Sequence, residues 1–457
     1  MQEITQKARQ IRDVIRYLKA FKNAVTVIYL DDEIITSPML PSLIHDISLI
    51  HESGINVVIV PGCRQRINQV LTQSNISWQI KNGQRITKPE SMDLIKMAAF
   101  DVSNIIMTSL SGEKTSAVIG NWVKARGKGV INGIDYGTTG EIESINTASI
   151  KEILNDGFVP ILPCIGWSST GKPYNISSLT LATQIAVNLE ADKLFFILPD
   201  THLDPKEFNI PKDVHLTPDY NIPAMDLKEI SSFIKLNKSK TASALKTSGK
   251  SKEKKEISKQ EKILELFSLA KDACKNGVSR VHILDGFIDG ILPCEIFSSI
   301  GSGTMIYNDE YSGFRAMTLN DISSVLSLMD PFVKQKILLP RTKISLTENL
   351  SDYIVYQVDG GIHACASLHV YSPSQAEIAG VAVDESYSKL GIGVKLINYL
   401  LKKAKDKKIK SVFVLTTQTA DWFEKLGFKS DSLDSIPAER KAKWSPQRNS
   451  KVLRIKL

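Results

Sequence analysis

The chain has 457 residues, 42% of them hydrophobic and 23% charged, with a formal net charge of +8. That is globular composition, so a wholly disordered or collagen-like chain is excluded, and the length suits two or three domains. No apolar run reaches the roughly 18–20 residues of a membrane span, and the first residues, MQEITQKARQIRDVIR, lack a signal peptide's apolar core, so a cytoplasmic location without membrane attachment is expected. Cys63, Cys164, Cys274, Cys294 and Cys365 form no close pair and no CxxC, which fits a reduced compartment and indicates neither a disulfide frame nor a metal site.

The charge is local. Residues 235–262 hold ten Lys and three Glu, a balance of +7, which leaves +1 for the rest of the chain. This Ser/Lys/Thr-rich, aromatic-poor stretch reads as a flexible loop. A nucleic-acid-binding tail is the alternative, but the stretch has no Arg fork and no stacking aromatics, so no nucleic-acid partner is expected.

In chain order, residues 4–22 carry apolar residues at helical spacing. AVTVIYL (24–30), a helix over 42–54 ended by Gly54, INVVIVPG (55–62) and a helix over about 65–73 then alternate, the signature of a parallel sheet with right-handed crossovers. A long helix is predicted over 83–110, strands over 116–121, 157–166 and 192–200, and a helix over 178–191. After the Lys-rich stretch come a helix (262–276), VHILDG (281–286) and GSGTMIY (301–307), so 1–308 reads as one α/β sandwich. From 314 the order changes: a strand entry and helix, strands over 352–360, 361–372 and 377–383, a Gly-started helix from 389, a strand at 411–417, a short helix at 420–428 and a last strand at 450–457. Residues 314–457 therefore read as a separate, smaller α+β domain.

In that domain a strand ending at Val383 is followed by KLGIGVKL, with Gly391 and Gly393 opening a helix. Glycines there let backbone N–H groups approach a pyrophosphate at the helix N-terminus. A plain helix-start glycine pair is the alternative reading. With SVFVLTT and DWFEKLGF following, the segment resembles the GNAT acetyltransferase fold, whose loop of this kind binds acetyl-CoA. The resemblance implies Ser388, Lys389, Gly391 and Gly393 at the cosubstrate, with Ser388 where the family carries Arg or Gln. It also implies that the amides of Val381, Ala382 and Val383 face the developing oxyanion. Glu377 is the candidate base, directly or through water, against the alternative of a solvated strand-end carboxylate. Phe423 stands where many members carry a Tyr acid.

VVIVPGCRQRI (57–67), DYGTTGEIESIN (135–146), GFVPILPCIGWSSTGKPYNISS (157–178) and VHILDG resemble the amino-acid kinase fold, in particular N-acetylglutamate kinase. A working kinase of that family carries a Lys and paired Gly after the first strand, where this chain has YLDDE with Asp31 and Asp32. It also carries an Asp after the Tyr-Asn turn, where this chain reads Asn175-Ile176-Ser177-Ser178. Phosphoryl transfer rests on positioning and charge neutralisation, so these losses predict a dead kinase.

A kinase-like domain without kinase residues joined to a GNAT domain resembles bacterial N-acetylglutamate synthases, a likeness extending to TTQTADWFEKLGF (416–428) and PQRNSKVL (446–453). It implies acetylation of L-glutamate by acetyl-CoA, the entry step of arginine synthesis. Arg341, Arg448 and Ser450 are then the candidate glutamate-binding residues, since Arg forks suit carboxylates. L-Arginine is the expected effector, at Tyr17, Glu295, Gly301 and Gly303, and the N-terminal helix implies a homo-oligomer of hexameric type. Two other readings stay open: an active acetylglutamate-type kinase with an appended domain, and a non-catalytic arginine sensor.

Overall fold

A computed structural model describes residues 11–457 apart from 13, 16, 20, 82, 212–213, 245–250, 298–300, 309–311, 359–360 and 389–390. The chain divides into two units, Met1–Asn308 and Asp309–Leu457.

The first unit contains strands β1 (Val25–Leu30), β2 (Asn56–Pro61), β3 (Ala117–Ile119), β4 (Val123–Gly127), β5 (Gly140–Ile145), β6 (Val159–Ile161), β7 (Ile165–Trp167), β8 (Pro173–Asn175), β9 (Lys193–Leu198), β10 (Arg280–Asp285) and β11 (Thr304–Tyr307). Its main helices are α1 (Leu40–Glu52), α2 (Arg64–Gln73), α3 (Met92–Gly112), α4 (Ser178–Asn188), α5 (Leu227–Ala244), α6 (Ser251–Lys275) and α7 (Ile291–Phe297). The central sheet has the order β11-β10-β9-β1-β2-β6-β3, and a second sheet the order β8-β7-β4-β5. The central sheet is parallel except for β11, which runs antiparallel to β10. Strands β1, β2 and β9 are almost wholly buried, which is why they read as mainly apolar runs.

Three expectations need correction. The segment 157–166 is not one strand: Pro163 interrupts the ladder, and its halves β6 and β7 join different sheets. The helix expected within 83–110, with its entry at Thr87–Glu90, begins at Met92, because Gln84–Ile86 pairs as a strand with Gln79–Lys81 and Pro89 opens a 3₁₀ turn. The Lys-rich stretch is not a loop in its described part: 235–244 and 251–262 are helical, at the end of α5 and the start of α6. Lys, Ala and Glu favour helix, and both helices are anchored in the core by Ile230 and Phe233 on one side and Ile263, Leu264 and Phe267 on the other. Of the helix expected over 4–22, residues 1–10, 13, 16 and 20 lie outside the described set.

The second unit contains β12 (Ser312–Ala316), α8 (Ile322–Lys334), α9 (Lys343–Glu348), β13 (Tyr353–Val358), β14 (Gly361–Ser372), β15 (Gln375–Val383), α10 (Ile392–Asp406), β16 (Ser411–Thr416), α11 (Ala420–Lys425), β17 (Lys429–Asp431) and β18 (Lys451–Lys456). Its sheet order is β12-β13-β14-β15-β16-β18-β17, antiparallel except between β15 and β16. Leu396, Ile397 and Leu400 of α10 pack on one face, over Ala376, Ile378 and Val414. Met329 of α8 packs on the other, with Tyr353, Cys365 and Ala382.

The fold is thus an α/β unit with a mostly parallel sheet, followed by a mixed, mainly antiparallel α+β unit.

Candidate active site

The β15–β16 pairing ends at Ile378↔Val414, while β16 continues against β18 to Thr416. Past Ile378, β15 therefore has no ladder partner on its β16 side. Against β14, Ser367 pairs with Ala379 and Cys365 with Ala382, so two residues, Gly380 and Val381, oppose one. Gly380 has φ +62°, the left-handed geometry of a glycine bulge. Val381, Ala382 and Val383 lie just beyond it, at the open side of the splay.

The glycine loop follows. Gly391 caps α10 with φ +70°, and no side chain caps the first turn, which carries no acidic residue. Among the described residues a Cβ at Gly391 would meet nothing within 4 Å, so the helix N-terminus presents positively polarised amides to open space there. That fits a pyrophosphate. At Gly393 a Cβ would lie 3.2 Å from Trp422 Cζ2 and 3.7 Å from Val383 Cγ2, so a side chain there would crowd Trp422 of α11. Ser388, exposed, turns its hydroxyl back to the Glu385 carbonyl (2.8 Å). Lys389 lies outside the described residues.

Glu377 is 2% exposed, so the solvated strand-end alternative is wrong. Its Oε2 accepts bonds from Arg440 Nε (2.7 Å) and Tyr371 Oη (2.9 Å). Burial alone would lower the Arg440 guanidinium, but the bond and charge of Glu377 outweigh it and hold it above its ordinary value. Burial, then the same carboxylate, pushes the Tyr371 phenol up, so this tyrosine is a poor acid. Phe423 is buried and supplies no phenol.

The candidate acceptor residues converge on one loop. Arg341 directly precedes Thr342, the N-cap of α9, and donates from Nε to Tyr353 Oη at 3.3 Å. Arg448 donates from Nη2 to the carbonyl of Ile337 at 2.7 Å. Trp444 Nε1 reaches the Ser450 carbonyl at 3.4 Å, which steadies the 444–450 turn. Both Arg side chains are half-buried.

In the first unit, Glu295 of α7 is buried and accepts bonds from His282 Nδ1 (2.7 Å) and from the amides of Ser302 (2.5 Å) and Gly303 (3.0 Å). A Cβ on Gly301 would lie 2.5 Å from its Oε2. Burial lowers His282 to about 4, so the neutral ring donates. Burial raises Glu295, but the His282 bond and the two amides outweigh it and hold it below the usual carboxylate range. Tyr17 stacks on Phe21 (ring centroids 4.4 Å), and the buried Lys193 ammonium lies 4.8 Å from the Tyr17 ring. Burial, then Arg280, lowers this ammonium well below its ordinary value. Sequence reading missed Lys193 and His282; the signal was a polar residue inside an otherwise apolar buried strand.

In the loop after β1, Asp31 caps the turn Asp32–Ile35. Asp32, buried, turns its carboxylate onto the N-terminus of α2, where the amides of Gln65 and Arg66 bind it. The chain thus places its own anion at the helix end of that loop.

Comparison with known proteins places these observations. Residues 24–198 match the amino acid kinase family and residues 320–428 the acetyltransferase (GNAT) family. The amino-acid acetyltransferase of Mannheimia succiniciproducens is 31% identical over 98% of both chains. N-Acetylglutamate synthase from Neisseria gonorrhoeae, solved with coenzyme A and L-arginine, superposes with a TM-score of 0.78 at 26% identity, covering 98% of this chain and 99% of that one. The same enzyme solved with coenzyme A and N-acetyl-glutamate gives 0.59. With its kinase-like and GNAT segments matched in order and a relative aligned along nearly its whole length, this chain belongs to the amino-acid acetyltransferase family.

Proposed function

We propose that the amino acid acetylated is L-glutamate, with acetyl-CoA as donor. The observation that carries this is the convergence of Arg341 and Arg448 on the 337–341 loop beside the splay, two guanidinium forks suited to two carboxylates. The Neisseria enzyme solved with N-acetyl-glutamate supports the same choice.

The α10 amides from Gly391 onward hold the pyrophosphate, and the amide of the 381–383 stretch that faces the open β16 side receives the thioester oxygen. The glutamate nitrogen attacks the acetyl carbon, the carbonyl electrons move onto oxygen, and collapse of the adduct expels CoA thiolate. The amine's proton passes through a water to Glu377, whose Oε1 we assign to it because Arg440 and Tyr371 both bind Oε2. With Phe423 in place of a phenol, the thiolate leaves without a side-chain acid at that position.

The first unit takes L-arginine as effector at Tyr17, Glu295, Gly301 and Gly303, with Lys193 beside them. It transfers no phosphoryl group. The test is CoA release from acetyl-CoA against a panel of amino acids, with and without arginine. Release with glutamate above all others supports the reading. No release with glutamate, or formation of an acyl phosphate from N-acetylglutamate and ATP, overturns it.

A further inference from the structure

One polar chain in the second unit, with Ser367 buried and His369 and Asp352 half-buried, has no part in the chemistry above. Asp352 Oδ2 accepts from His369 Nδ1 at 2.7 Å. His369 Nε2 lies 3.0 Å from Ser367 Oγ, and Ser367 Oγ donates to the Ala379 carbonyl at 3.0 Å. Asp, His and Ser in this order match the connectivity of a nucleophilic triad. Ser367, however, is 0% exposed and spends its proton on a backbone carbonyl, so it does not attack anything.

What it touches is the bulge. Ala379 is the last paired residue before Gly380 and Val381 step out of register with β14. A carbonyl at such an irregularity, inside the sheet, needs a partner, and Ser367 is that partner. The other side of the bulge is bounded too: a Cβ on Gly380 would lie 3.2 Å from Met329 Cε and 3.6 Å from Tyr353 Oη. Tyr353 receives Arg341, and its ring stands edge-on to His369 at 6.2 Å.

From this geometry we infer that Asp352, His369 and Ser367 are positioning residues, which pin the Ala379–Gly380 bulge and so aim the 381–383 amides at the reacting carbonyl. The inference rests on the reading that those amides bind the thioester oxygen. An oxyanion donor displaced by a fraction of an ångström loses most of its effect on the transition state while ground-state binding elsewhere persists.

The test combines kinetics with amide hydrogen exchange on the full chain. Ser367→Ala is expected to lower kcat roughly 10- to 100-fold, with the Kd for CoA within twofold of wild type and faster exchange at 379–383. His369→Ala should match it. His369→Gln, whose side-chain amide can reach Ser367, should recover most of kcat, which a loss of packing alone would not predict. Exchange at 379–383 unchanged in Ser367→Ala overturns the pin whatever the activity. Faster exchange with wild-type kcat, or kcat and CoA affinity falling together, overturns the positioning role. Absence of acetyl transfer to glutamate by the wild-type protein would count against the substrate assignment, and the exchange measurement still decides the pin.

Discussion

Arg448 and Ile337, 111 residues apart, are joined by a 2.7 Å bond from guanidinium to carbonyl, four residues before Arg341. The last connecting loop of the chain, before β18, is thereby fastened to the segment between α8 and α9, and both candidate carboxylate forks share one platform. Arg448→Ala should raise the KM for glutamate roughly 10- to 100-fold, the range of a lost charge-assisted bond, and leave that for acetyl-CoA within about threefold. Arg448→Lys should not restore it, because an ammonium lacks the planar fork. Steady-state kinetics with each substrate varied would show this; equal rises in both KM values would remove the carboxylate role.

Glu377 and Arg440 form the best-buried ion pair of the second unit among those described, with side chains 3% and 18% exposed. Arg440→Ala leaves a buried carboxylate without its cation and should cost about 3–5 kcal/mol in denaturant unfolding. Glu377→Gln should lower kcat about 100-fold or more without weakening CoA binding. An unchanged kcat would leave Glu377 as an anchor only.

Burial, then the neighbouring Asp31 charge, raises Asp32 to about 6. A carboxyl whose folded value lies above its unfolded value binds more protons in the folded state between the two. Stability from this group is therefore highest below about pH 4 and falls as pH rises to about 6, by roughly 3 kcal/mol in all. Asp32→Asn should flatten that segment of the stability-against-pH curve and raise stability at pH 7. A curve identical to wild type would show that Asp32 is ionised at little cost.

Under the proposed effector assignment, Glu295 is the buried acid that an arginine guanidinium would meet in the first unit. L-Arginine should raise the melting temperature of the wild-type protein and change its acetyl-transfer rate, and Glu295→Gln should lose both responses while keeping acetyl transfer without arginine. Differential scanning fluorimetry and the CoA-release assay read the two arms. A response surviving in Glu295→Gln would place the effector elsewhere.

Much of this was legible along the chain. The GxG at 391–393 needs only local geometry, a left-handed cap and a helix that starts without a side-chain cap, so its place was readable from strand, turn and helix signals. The Lys-rich stretch misled because its composition resembles a solvated loop. Its helices are anchored by Phe233 and Phe267, whose rings meet at 4.9 Å, and such anchoring lies outside the window that shows the bias.

Two domains, their fold classes and the resemblance that names the chemistry were determined by the sequence itself, because hydrophobic period, glycine positions and short motifs are local properties of a chain. The +8 charge falls mostly in residues 235–262, whose described part is helical, and says little about the substrate. Only the tertiary structure decided which charges meet: Arg440 with Glu377, His282 with Glu295, Asp32 with the start of α2, and Asp352 through His369 to the bulge. A carboxylate in a sequence has no stated partner. Its partner is set by where packing puts the few cations and amides that can reach it, once burial has made an unpaired charge too costly to keep.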